Sequence, residues 1–196
     1  LKEEANQILA HITKLGEETE YNGQAVFSQD RASLGGDKDR RAVMDGLKSG
    51  WLSETESLVK KYYGLAGGGA SLTVNLDGFT DGPWNVLASV SGMVYAGSGK
   101  FHNIHLNIDM ADFPATNQPD GGRAPMYSDR IIAHEMVHAI MARATGFQFP
   151  QWFTEGTAEL IHGADERLRG AVSGSSAAAV VATVTGGGFS YESGYA

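Results

Sequence analysis

The chain has 196 residues, 42% of them apolar, enough for one medium domain with a buried core, alone or with an appendage. Fifteen basic residues face twenty-three acidic ones, and the formal net charge of −8 argues against a nucleic-acid partner and against an electrostatic membrane anchor. No apolar run approaches a bilayer span, the first residues lack the apolar stretch of a secretory signal, and with no cysteine any metal must be held by histidine and carboxylate.

Ile8, Leu9, Ile12 and Leu15 recur three and four residues apart, which predicts an amphipathic helix over 2–20, followed by a turn signal at Asn22-Gly23. The narrow stripe suits either a surface helix or a seam against a partner helix. Residues 28–37 are polar and glycine-containing and read as a linker. Helices are expected over residues 39–47 and 53–63, the second opened by a capping box of Ser53 and Glu56 and stopped at Gly64. Gly67-Gly68-Gly69 lacks the Lys-Ser/Thr pair and the preceding strand of a phosphate loop. Strands are expected over 71–76, 85–91 and 103–108, the last with Ile104, Leu106 and Ile108 alternating against His105 and Asn107. From Ser128 the period is helical to about Thr145, with Gly146 as its stop. Pro150 opens a further helix over 151–162, and a short helical piece is expected over 164–170. The Ala/Gly/Ser/Val-rich stretch 174–188 receives no assignment. The pattern predicts an α+β fold: a small mixed sheet packed on the helix that starts at Ser128, then a mainly helical C-terminal part.

That helix carries His134-Glu135-Met136-Val137-His138, an H-E-x-x-H motif. Residues one helical turn apart share a face, so both imidazoles can reach one ion. Glu135 sits one residue round, beside the ion, where it can take a proton from metal-activated water. The pentapeptide by itself also fits a solvated helix face with two histidines and a glutamate. The downstream segment Trp152-Phe153-Thr154-Glu155-Gly156-Thr157-Ala158-Glu159 weighs against that plain alternative. A catalytic zinc site takes three protein ligands and keeps one position open. Sixteen residues separate His138 from Glu155, room for one helix to end and another to turn back. Glu155 and Glu159 compete for the third position. Glu155 is favoured, with Glu159 one turn on as the carboxylate that accepts the other ring N–H of a ligand histidine. His11, His102, His105 and His162 read as structural or surface residues.

H-E-x-x-H followed by W-x-x-E-G-x-A-E resembles the gluzincin metallopeptidases, the thermolysin- and aminopeptidase-like clan, closely over 127–167 and loosely upstream. The resemblance implies a zincin-like metallopeptidase fold and a Zn²⁺ cofactor held by His134, His138 and Glu155. Glu135 would be the general base and Glu159 a supporting carboxylate. Gluzincins also use a Tyr or His downstream of the ligands to steady the oxyanion, which points to Tyr195 and Tyr191 ahead of His162.

Residues 1–27 resemble the end of the first long helix of bacterial flagellin and the turn after it, through Glu4, Gln7, Ile12, Thr19, Tyr21, Asn22 and Gly23, with Lys14 where Arg is usual. The two resemblances together are similar to the flagellinolysins, flagellins whose hypervariable region is a gluzincin peptidase. They imply a flagellin-like portion at 1–27 and a peptidase domain at 28–196, with the polymerising flagellin helices outside this chain. A zinc-dependent endopeptidase displayed outside the cell on the bacterial flagellar filament is then expected. Its partners would be protein or peptide substrates, flagellins among them, and other flagellin subunits, with no nucleic acid and no membrane. Two alternatives stay open: a secreted or surface gluzincin unrelated to flagella, and a non-catalytic structural insert of a filament protein.

Overall fold

The structure is a computed structural model that describes residues 20–21 and 24–25 (backbone only), 37–76, 81–114, 126–146 and 149–186. The chain divides into two compact units, Leu1–Asp37 and Lys38–Ala196. In the first, β1 (Glu20–Tyr21) and β2 (Gln24–Ala25) pair antiparallel across the Asn22-Gly23 position, with Glu20 opposite Ala25. Glu20 therefore belongs to a strand; the rest of the helix expected over 2–20, with His11, lies outside the described residues, as does most of the linker at 28–37.

The second unit has an α+β architecture built on a three-stranded mixed sheet. It opens with α1 (Lys38–Gly46), a π-helical turn (Leu47–Trp51) and α2 (Leu52–Tyr63), which follow one another without a loop. The expected break before Ser53 is thus a kink at Gly50 rather than a new helix start. The capping box does not form. Ser53 Oγ donates to the Gly50 carbonyl at 3.1 Å, and the preceding residues are already helical. Trp51 folds its ring back over Gly46, where a Cβ would collide with it, and both residues are buried. Gly64 ends α2 in the left-handed conformation, as expected.

The sheet has the order β3-β5-β4: β3 (Leu72–Asn75) runs parallel to β5 (Phe101–Ile108), and β4 (Ala88–Val94) runs antiparallel to it. In β5 the expected alternation holds, with Ile104, Leu106 and Ile108 buried. Its other face is polar. Asn75 Nδ2 donates to Asn107 Oδ1 at 2.8 Å, and Asn107 Nδ2 donates to Ser91 Oγ at 3.1 Å, a rung across all three strands. His105 lies on this face, 3.2 Å from Asn75 Nδ2, and His102 packs against the Tyr95 ring.

β4 begins three residues later than expected because carboxylates hold the segment before it. Asp109 Oδ2 accepts from Asp81 N–H, Asp112 Oδ1 from Trp84 N–H and Asp81 Oδ2 from Val86 N–H. These amides are satisfied outside the strand ladder, so an apolar run at Val86-Leu87 does not by itself make a strand.

α3 (Ser128–Ala144) is the central helix and contacts β4 and β5. It buries residues around most of its circumference, from Ile131 and Ile132 to Met136, Val137 and Ile140. A helix packed over most of its circumference needs no long polar face. It ends at Gly146, whose φ of +67° suits glycine and whose missing Cβ makes room for the Gly99 carbonyl of the β4–β5 turn. Arg143 adds a hydrogen bond to the Phe101 carbonyl there. α4 (Gln151–His162) begins directly after Pro150, lies against α3 and stops at the left-handed Gly163. α5 (Asp165–Ala171) follows at once, and the unassigned stretch contains α6 (Ala177–Thr185), capped by Ser176 Oγ accepting from Ala179 N–H.

Candidate metal centre

His134 and His138 fall one turn apart on α3 and, with Glu155 of α4, face one point. His138 Nε2 lies 3.1 Å from His134 Nε2, and Glu155 Oε2 lies 3.2 Å from each of those nitrogens. Pairwise gaps of this size are close to the roughly 3.3 Å between ligand atoms on a tetrahedral zinc with bonds of about 2.0–2.1 Å. Three lone-pair atoms from two helices at mutual hydrogen-bond distance form a group that could hold a metal ion. α3 and α4 pack against each other, and Gly156 and Ala158 of α4 are buried.

Burial is the largest influence on His134 and lowers its pKa, with the Glu155 hydrogen bond pulling the other way. That keeps the ring neutral, the form in which imidazole binds metal. For His138, burial opposes the charge but is outweighed by the Glu155 hydrogen bond and by the Glu135, Glu155 and Glu159 carboxylates, so its pKa is raised. Glu155 feels burial upward, yet the hydrogen bonds from the two histidines bring it down to about 2, a carboxylate ready as a ligand. Glu135 shows the opposite balance. Burial pushes its pKa up to about 7, and the His138 charge only partly offsets this. A carboxyl group with that affinity for protons is suited to accept and return one near neutral pH.

These residues line a cleft of about 410 Å³. One wall is Ala88, Ser89 and Val90 of β4, an edge strand of the sheet. The other is Phe149, Gln151, Thr154 and Glu155 around the start of α4, with Phe149 41% exposed. Phe149, Gln151 and Thr154 were not legible as site residues in the sequence; they enter through helix approach, which no local motif encodes.

Behind His134 lies a second cluster. Glu159, 2% exposed, places Oε1 3.6 Å from His134 Nδ1, and His162, 4% exposed, has its ring centre 5.8 Å from that of His134. Ligand atoms of His134, Glu159 and His162, one from each, lie within 4.8 Å of one another, as in the first cluster. Arg167 of α5, however, donates to Glu159 Oε1 at 2.9 Å, so a cation already neutralises this carboxylate. Glu159 thus lies beside His134, and His162 is buried and is not among the residues that line the cleft. Arg167 was missed. The available signal was that a glutamate on a buried helix face needs a cation, and Arg167 lies eight residues on. Tyr191 and Tyr195 lie outside the described residues. No helix among the described residues is long and apolar enough to cross a membrane. No family model, curated protein or solved structure matches the chain.

Proposed function

We propose that this chain is a zinc-dependent endopeptidase with a zincin-like domain over residues 28–196. The convergence of His134 Nε2, His138 Nε2 and Glu155 Oε2 in the lining of a cleft that also includes Glu135 carries the reading. His134, His138 and Glu155 would hold the ion. When bound, zinc supplies Lewis acidity that polarises a carbonyl and acidifies water. Glu135 holds the proton taken from water at its carboxylate and returns it to the leaving amine, a role its raised affinity for protons supports. Glu159 Oε1, 3.6 Å from His134 Nδ1, would steady the ring with Nε2 turned toward His138 and Glu155.

The substrate is a protein segment bound in extended form. The Leu87 carbonyl accepts from Asp109 N–H, which makes Leu87 and then Ser89 the inward hydrogen-bonding positions of β4. The backbone groups of Ala88 and Val90 then point outward along the cleft, where an added strand would pair with them. Display on the flagellar filament, with flagellins as substrate, rests on the likeness of residues 1–27 to flagellin. Tyr195 and Tyr191 remain the proposed oxyanion donors on the gluzincin likeness alone.

Incubation with casein and with purified flagellin, with and without chelator, tests the activity. Cleavage that chelation abolishes and zinc restores is the expected result. A zinc-loaded chain that cleaves neither protein would leave the metal group as a structural centre in a filament insert.

A further inference from the structure

We propose that Arg167 is a positioning residue for the metal: through Glu159 it fixes the imidazole of His134 in its ligating orientation. This rests on the metallopeptidase reading in that His134 is taken as a ligand. The geometry runs through three helices. Arg167 Nη1 of α5 lies 2.9 Å from Glu159 Oε1 of α4, and that same oxygen lies 3.6 Å from His134 Nδ1 of α3. The far side of the ring, at Nε2, meets Glu155 and His138. One carboxylate oxygen thus sits between a guanidinium and the rear of a ligand ring.

The chemistry of burial makes the arginine necessary. A carboxylate only 2% exposed carries a large desolvation cost unless a charged partner and hydrogen bonds offset it. Without the guanidinium, Glu159 would turn toward another partner or toward water, and Oε1 would leave the neighbourhood of Nδ1. The guanidinium is also a rigid planar fork, so it fixes where the oxygen sits as well as neutralising it.

The fold holds Arg167 in place by a second arginine. Arg130, in the first turn of α3, donates to the Gly163 carbonyl at 3.0 Å and pairs with Glu166 at 3.2 Å. The junction of α4 and α5 is thereby tied to α3 on its outer side, while the neighbouring residue, Arg167, reaches inward. Arg167 also explains why the His134, Glu159 and His162 group is a support and not a second metal site: its charge opposes that of an incoming cation.

The test is zinc affinity, measured by competition with a chromophoric chelator on the full chain, alongside thermal unfolding of the metal-free protein. Arg167→Met should weaken zinc binding by about 10–100-fold, the usual cost of losing an outer partner of a ligand histidine. Arg167→Lys, which keeps the charge without the fork, should lose less. In a Glu159→Gln background Arg167→Met should cost nothing further, because the arginine acts through that carboxylate. If Arg167→Met does not fold, Arg167→Lys decides, and wild-type affinity in it overturns the proposal. So does a full additional loss in the Glu159→Gln background, or a fall in thermal stability with zinc affinity unchanged. A wild-type chain that takes up no zinc removes the metallopeptidase reading and this proposal together, whereas a zinc-binding wild type with an indifferent Arg167→Met removes only the proposal.

Discussion

The ring of His134 separates two clusters made of the same materials. On its Nε2 side stand His138 and Glu155, which line a cleft; Glu159, on its Nδ1 side, and the nearby His162 are both almost fully enclosed. Either group has ligand atoms close enough for a metal. Among the described residues Glu155 pairs only with the two histidines, while Glu159 is already paired with Arg167. Access and counter-charge, not ligand identity, therefore distinguish the group open to an ion from the one already paired with a cation. Two glutamates one turn apart on the same helix thus meet opposite surroundings.

Removing Glu155 should have the largest effect. Glu155→Ala is expected to leave the purified chain essentially without zinc and without proteolysis, as read by metal analysis; a variant that keeps stoichiometric zinc would move the ligand role elsewhere. Next comes Glu135→Gln, which should retain zinc while losing roughly 10²–10⁴-fold in turnover, the usual span for a general base. The same residue predicts a pH effect in the metal-free protein. Its folded-state pKa is raised from 4.5 to about 7, so the folded chain holds this proton more tightly than the unfolded one does. That stabilisation is complete below about pH 4.5 and is lost as pH rises through 7, up to about 3 kcal/mol in all. Chemical unfolding between pH 5 and 8 should show wild type losing stability relative to Glu135→Gln, and parallel curves would contradict the assignment.

The Nδ1 side should respond more mildly. Glu159→Ala is expected to weaken zinc binding by about 10–100-fold with activity recoverable at high zinc. If this variant were the metal-free one and Glu155→Ala were not, the two glutamates would have exchanged places. The smallest effect belongs to the cleft wall. Val90→Pro removes one outward N–H of β4 and should raise KM for a peptide substrate by about 2–10-fold, the worth of one hydrogen bond. A peptide complex with the substrate lying away from Ala88 and Val90 would remove the edge-strand docking.

The centre was legible wherever a local rule governs. The start of α4 followed from Pro150, the buried face of β5 from strict alternation, and the meeting of His134, His138 and Glu155 from one-turn spacing plus a downstream Glu. Legibility failed where a tertiary partner competes with a local rule. Ser53 had the sequence of a cap, yet the kinked segment before it is already helical, so the hydroxyl bonds backward to Gly50. Val86 and Leu87 had the composition of a strand, but Asp81, Asp109 and Asp112 claim nearby backbone. α6 was missed because an Ala/Val/Thr run bounded by glycines has no polar face to reveal a helical period.

Gly146 and Gly64 end their helices with nearly the same backbone angles, +67° and +68° in φ. Around Gly64 nothing lies within reach of an added Cβ, whereas at Gly146 the carbonyl of Gly99 fills that space. Two positions that look alike in sequence thus have unequal freedom to drift. A lineage could replace Gly64 with asparagine and lose little, since that residue tolerates left-handed backbone. At 146 no side chain fits unless the β4–β5 turn retreats, and that turn carries the strand that walls the cleft. The end of α3 is in this way locked to the strand that walls the cleft, and variation in one must be answered by variation in the other.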